Sequence, residues 1–342
     1  MFTPMYLLPR HSPKERAKYQ DRWHTGEGQI LEKTILDMIR SGAGEDFLQW
    51  DFEQGNLGFL ESQWDLKGFS LFNEGIDFPA GDNFEAIDFS YASFYHSKLK
   101  GAIFYSANIA YATIYNCEFV NCIFAFTGFY GSTLEKVRFI NCDFMEEDRI
   151  TNCDLKEVTF KNCFIPKPLF FDCKFDEQTT VDDPRSEPSK GINVDKLNSK
   201  DLAEIFKGIK ESYRAGQVNR QSRYYFFKER QCITRYNLTS RHSKIGGYLL
   251  EFCTGYGIKP PRVLITMIVL FAFFSAFFTT RFGFSDGLLL SAGAFFTFGA
   301  NSDLLQTADF LLRILYVAEA FVGISSVALF ITVLANVWLG EK

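Results

Sequence analysis

Residues 102–124 read AIFYSANIAYATIYNCEFVNCIF. A large apolar side chain stands at every fifth position (Phe104, Ile109, Ile114, Phe119, Phe124), and a slim one two places before each (Ala102, Ala107, Ala112, Cys117, Cys122). Followed outward, the large series runs unbroken from Phe84 through Phe89, Phe94 and Leu99, and on through Phe129, Leu134 and Phe139 to Phe144. Only 47% of the chain is hydrophobic, so thirteen consecutive hits are not chance. A period of five belongs to neither a helix nor a strand and marks a repeat architecture. One extra residue shifts the phase after Phe144. The pattern then resumes at Ile150, Leu155, Phe160, Ile165, Phe170 and Phe175, while Leu66, Leu71 and Ile76 form a weaker prelude.

The triplets Ala107-Asn108-Ile109 and Cys142-Asp143-Phe144 show the unit most clearly: small, Asp or Asn, large apolar, then two variable positions. On these motifs residues 64–178 resemble the pentapeptide-repeat family. The resemblance implies a right-handed, four-sided β-helix with four pentads per coil. Coils paired at about 4.8 Å give about five to six turns and a rod roughly 25 Å long. Residues twenty apart should stack, so Phe84, Phe104, Phe124 and Phe144 are expected in one column. A solenoid needs closed ends. Residues 27–41, with Ile30, Leu31, Ile35, Met38 and Ile39 at helical spacing, are expected to plug the first coil.

Six of the eight cysteines fall in the slim slot: Cys117, Cys122, Cys142, Cys153, Cys163 and Cys173. Their spacing mimics a disulfide or metal pattern. Cys122 should stack on Cys142 and Cys153 on Cys173, but parallel in-register side chains hold Cβ atoms too far apart for a relaxed bridge. Core-filling thiols are the first reading, and metal or redox roles the alternative. Free thiols suit a reducing compartment, which places the rod in the cytosol.

Beyond the rod the composition changes. Residues 263–280 carry no charge, and 314–339 carry only Glu319. Eighteen residues at 1.5 Å each span about 27 Å, near the hydrocarbon thickness of a bilayer. Two membrane spans are therefore expected, with no cleavable signal ahead of them. Residues 203–262 hold twelve Lys/Arg against four Glu, in a chain of net charge −5. That basic belt directs the N- and C-termini to the cytoplasm in a multi-pass inner-membrane protein. Between the spans, Ser285 and Asp286 are placed to cap a short helix running to about Phe296. Its return as extended backbone is tolerated at membrane depth only in a protein-lined or water-filled path.

The segment Thr297-Phe298-Gly299-Ala300-Asn301-Ser302-Asp303 resembles the filter of two-span potassium-type channels, and the Arg313–Gly323 stretch resembles their inner helix. The resemblance implies a homotetramer in the bilayer that passes monovalent cations such as K+ or Na+ and needs no cofactor. The filter departs from the family: the tyrosine and second glycine are lost, and a residue is inserted before Asp303. Stacked carbonyl rings need unusual dihedrals that Gly adopts most cheaply. A wider, weakly selective path is expected, with carbonyls of 297–299 and polar groups of Asn301, Ser302 and Asp303 at its mouth. Asp303 either forms an acidic ring or caps the segment after it. Glu319 is assigned to filter support through pore-loop backbone, and Gly323 to a hinge or a close helix contact. Ser326 and Thr332 are assigned to the cavity, and Phe330 or Val333 to a constriction. Thr254-Gly255-Tyr256-Gly257 looks more like a potassium filter but precedes the first span. It is read as the turn after an interfacial amphipathic helix (Ile245, Tyr248, Leu249, Phe252).

The expected organisation is 1–46 N-terminal segment and cap, 47–182 β-helix, 183–242 linker with a helical hairpin (201–216 and 217–232), 243–262 interfacial helix, and 263–342 span–loop–span. The hairpin reads as a lever, or as a spacer whose basic face rests on anionic lipid. His11, His24, His96 and His242 are scattered and no phosphate-cradling loop occurs, so no enzyme is expected. A weakly selective cation channel with cytosolic rods that sense or dock a protein or ligand leads. A non-conducting membrane scaffold is the alternative. A DNA-mimicking inhibitor of topoisomerases, known among soluble repeat proteins, conflicts with the basic belt and the spans, so no nucleic acid is expected.

Overall fold

The computed structural model describes residues 13–41, 59–60, 63–78, 83–85, 87–145, 147–189, 197–236, 241–297 and 308–339. They form two compact units, 1–229 and 230–342, divided within the helix Asn219–Tyr236.

In the first unit the repeats wind into a parallel β-solenoid of about five turns. Its strands, mostly of three residues, form four sheets of seven, six, six and four, one per side; apart from an antiparallel first pair (Phe59–Leu60 with Gln63–Asp65), partners are parallel and lie about twenty residues apart. Thus Phe84 pairs with Phe104, Phe104 with Phe124, and Phe124 with Phe144. The corners are turned by residues in the left-handed region, including Asn116, Asn121, Asn141, Asn152 and Asn162 at φ 50 to 54°. Asn reaches that region because its short polar side chain bonds locally. The side chains of Asn121, Asn141 and Asn162 hydrogen-bond into a ladder up one corner.

Large and slim residues fill the interior together. Phe104, Phe119, Phe124, Phe129, Phe139, Phe144 and Phe160 are all buried, as are Ala102, Ala107, Ala112, Ser132 and the six cysteines. Phenyl rings stack coil on coil, Phe104 on Phe124 at 5.0 Å and Phe124 on Phe144 at 4.9 Å. The thiols are free. Each donates to a backbone carbonyl, as Cys142 does to Phe119 O at 3.2 Å and Cys173 to Ile150 O at 3.1 Å. Burial pushes the Cys117 thiol up to about 11 and raises the Cys142 thiol as well, which disfavours the thiolate that metal binding needs. Cys142 meets both Cys122 and Cys163, so that column is three long rather than the expected two.

The phase break is absorbed at one corner, where Gly128 pairs with Arg149, twenty-one residues on. Asp148 fills the gap. Its buried carboxylate accepts from Thr127 N at 2.7 Å and Met145 N at 2.6 Å.

Helices close both ends. At the first coil, α1 (Pro13–Asp21), a 3-10 turn (Arg22–His24) and α2 (Gly26–Ser41) pack together. The plug differs from the expected one: Ile35 is buried, but Ile30 is 69% exposed. Trp23, outside the expected helix, does the covering. Its indole N–H donates to Lys67 O at 2.9 Å and its ring meets Phe69 edge-on. At the last coil, α3 (Ser199–Ala215) begins with a capping box between Asn198 and Asp201. It buries Ile205, Phe206, Ile209 and Tyr213, the stripe expected of a hairpin helix, against that coil. Tyr213 packs edge-on against Phe175 and donates to Thr179 O at 2.6 Å. A Cβ on Gly216 would lie 1.8 Å from Phe175 O, so only glycine fits there. The second helix, α4 (Asn219–Tyr236), adds Tyr225, stacked on Tyr213 and bonded to Val181 O. The first hairpin helix is therefore docked on the rod as a cap.

Candidate pore-forming unit

The second unit holds α5 (Arg241–Thr254), α6 (Pro260–Phe282), α7 (Phe284–Thr297) and α8 (Phe310–Leu339). Two of them, Pro260–Phe282 and Phe310–Ala335, are long and apolar enough to cross a membrane. Pro260 and Pro261 open α6, where a missing N–H costs nothing, and Gly283 at φ 86° ends it. Ahead of it, Gly255, Tyr256 and Gly257 are all left-handed, with the Tyr256 hydroxyl donating to Thr234 Oγ1 at 2.8 Å. The filter-like tetrapeptide is thus a turn. On α5, Tyr248 and Phe252 are exposed, at 54% and 78%.

Fourteen residues make α7 about 21 Å long, short of the ~30 Å hydrocarbon layer. It packs against both longer helices. One cluster joins Phe274 and Phe278 of α6, Leu290 and Ala294 of α7, and Tyr316 and Ala320 of α8. A second joins Val263, Met267, Phe295 and Val333. Two glycines set the distances. A Cβ on Gly287 would meet Phe278 backbone at 2.5 Å, and one on Gly323 would meet Phe295 O at 2.3 Å. Gly323 thus makes a close helix contact, and α8 is continuous through it.

The sequence-derived site residues separate accordingly. Thr297 ends α7; Phe298, Gly299, Ala300, Asn301, Ser302 and Asp303 lie outside the described residues. Glu319 is fully buried and bonded, but its partner is the Ser291 hydroxyl of α7 rather than loop backbone. Ser275 of α6 donates in turn to Ser291 Oγ at 2.8 Å, so one polar chain crosses all three helices. Val333, assigned to a constriction, is buried in the second cluster, and Phe330 packs against that cluster. Ser326 bonds Val322 O of its own helix at 2.7 Å. Thr332 is exposed, on the face of α8 that turns away from α6 and α7, with Phe321 and Ser325. Sequence reading missed Ser275, Ser291 and Ser325. Counting helical turns from Glu319 separates Ser325 from Ser326, whereas the serine pair needs the helix packing. Among the described residues no three His, Cys, Asp or Glu side chains converge as a metal site.

Residues 87–125 match the family model for pentapeptide repeats, in eight copies. The parallel β-solenoid of the rod fits a pentapeptide-repeat β-helix. Among solved structures, the pentapeptide repeat protein Rfr23 from the cyanobacterium Cyanothece 51142 is similar at 16% identity, over 33% of this chain and 84% of that one, with a TM-score of 0.18. A trypsin-treated form of QnrB1, a plasmid-mediated fluoroquinolone resistance protein, is similar at 16% identity over 33% and 64%, with a TM-score of 0.16. At these values neither carries an argument about this chain. No curated protein matches the chain, and no family match reaches the helices of 230–342.

Proposed function

We propose that this chain is a subunit of an oligomeric, weakly selective cation pore in a cell membrane, with its pentapeptide-repeat rod as a cytosolic sensing or docking module. One observation carries the reading: a helix too short to span is locked by glycine contacts and a polar chain to two helices that are long enough. Only 28% and 22% of the residues in the two spans are buried, so each turns apolar side chains outward, as helices in lipid do and core helices of soluble proteins do not. Two spans enclose no pore, so copies must surround an axis; four is the number the filter resemblance implies. The exposed face of α8 supplies Ser325 and Thr332 for such an axis, while Thr297 ends the short helix and the filter-like residues 298–303 come next in the sequence.

Flux of monovalent cations through the purified full-length chain in lipid vesicles tests this. A charged thiol reagent is expected to block current in Ser325→Cys or Thr332→Cys but not in Val333→Cys, which is packed inside. An intact tetramer without conductance overturns the pore and favours a membrane-anchored scaffold. That second reading draws on exposed rod aromatics, Phe72 at 59% and Phe126 at 52%, which suit protein contact.

A further inference from the structure

Glu319 is the one acid in either span, and its surroundings are unlike those of a carboxylate in an ion pair. It is 0% exposed. Oε1 accepts from the Ser291 hydroxyl, and Oε2 is buried with no hydrogen-bond partner among the described residues. Ser291 is itself fully buried, and Ser275 behind it is 6% exposed.

No cation is at hand. Between Arg262 and Arg281, between Arg281 and Arg313, and from there to Gly340, the sequence contains no Lys, Arg or His. Arg281 is exposed and faces Asp309 at 3.5 Å. Arg313 is exposed and donates to Ala308 O at 3.1 Å. It also stands six residues before Glu319, about 9 Å along the helix axis. The other groups that titrate or carry charge on the packed elements are Tyr316 on α8, one turn away with its ring against Phe278, and Asp286 at the start of α7. Asp303, beyond α7, is a further acid. Nothing on α6, α7 or α8 can neutralise a charge at Glu319.

An ionised carboxylate with one hydroxyl donor in an apolar helix interface is among the costliest arrangements a membrane protein can hold, and the neutral acid avoids that cost. A hydroxyl chain Ser275–Ser291–Glu319 accommodates the acid because serine both donates and accepts. We propose that Glu319, Ser291 and Ser275 form a buried proton-binding site, whose proton is a ligand that locks the short helix α7 to both long helices. Alkaline pH removes the proton, places a bare charge between α7 and α8, and loosens their contact. The inference builds on reading these helices as membrane-embedded but needs no ion to flow.

Infrared spectroscopy of the full-length chain in lipid nanodiscs tests it, by following the carboxylic-acid carbonyl band across pH. The wild-type spectrum at pH 7 is expected to contain a band absent from Glu319→Gln, which keeps the shape and stays neutral. That band should vanish as pH rises. The melting temperature of the wild type should fall more steeply over the same range than that of Glu319→Gln. If Glu319→Gln fails to fold, Ser291→Ala replaces it: losing the hydroxyl should shift the same band without abolishing it. Absence of a Glu319-dependent band at pH 7, or of a shift in Ser291→Ala, overturns the proposal. A chain that conducts but lacks the band sinks this inference alone. A chain with the band and no conductance sinks the pore and not the proton site.

Discussion

Replacing Phe124 by Ala tests the physical basis of the rod most directly. The ring is fully buried at mid-rod, stacked between Phe104 and Phe144 at 5.0 and 4.9 Å, and touched by Phe119, Phe129 and Phe139 at 5.9 Å. Truncating a core Phe costs about 3–5 kcal/mol, the spread reflecting how far the site can collapse. Here collapse is blocked, because backbone pairing on four sides fixes the coil spacing. Lost ring pairs worth about 0.5–1.5 kcal/mol each push the same way. The cost should therefore sit at the top of the range, about 5 kcal/mol. Hydrogen exchange of the full-length chain, read by mass spectrometry over the strands at 118–130, measures it. At tenfold per 1.4 kcal/mol, protection should drop by about three and a half orders of magnitude, most steeply in the coils holding Phe104, Phe124 and Phe144. Phe126→Ala, at an exposed corner, should change protection less than about threefold, within the ±0.5 kcal/mol usual for surface sites. A drop below tenfold for Phe124→Ala would refute the view of the interior as a rigid, fully packed column.

Two further predictions concern the rod. Gly216→Ala places a methyl on the Phe175 carbonyl, which backbone cannot vacate, so α3 should lift from the last coil. The expected cost exceeds the roughly 1–3 kcal/mol of ordinary overpacking, seen as lost protection over 170–181; unchanged protection there would refute the capping role. Burial pushes the Asp148 carboxyl up to about 7 from an ordinary value near 4. The folded form therefore favours the protonated acid, so Asp148's contribution is fullest below pH 4 and is lost as pH rises through 7. Melting temperature should fall across that window in the wild type but less in Asp148→Asn, and equal slopes in the two would rule the reasoning out.

The corner at Asp148 shows where sequence reading stops. The phase shift after Phe144 is visible as a count, but the carboxylate that absorbs it is one acid among forty-one. The caps behave alike. The stripe Ile205, Phe206, Ile209 and Tyr213 predicts a helix with an apolar face, and nothing local says that the face closes the rod. Trp23 lay outside any periodic pattern and was missed altogether. In the helical unit, only the packing places Gly323 beside Phe295 and Val333 among Val263, Met267 and Phe295, because helical phase alone does not say which face meets a neighbour.

The period of five by itself determined the β-helix, its stacked columns and its free-thiol core, because each pentad meets only its counterparts one turn above and below and local order sets those contacts. The apolar runs likewise determined two span-length helices. Only the tertiary structure decided what closes the rod, which side of α8 remains free, and that Ser275, Ser291 and Glu319 share one hydrogen-bonded chain. Those contacts join residues 16 to 44 positions apart through helix faces and close approaches, and no repeat period encodes them.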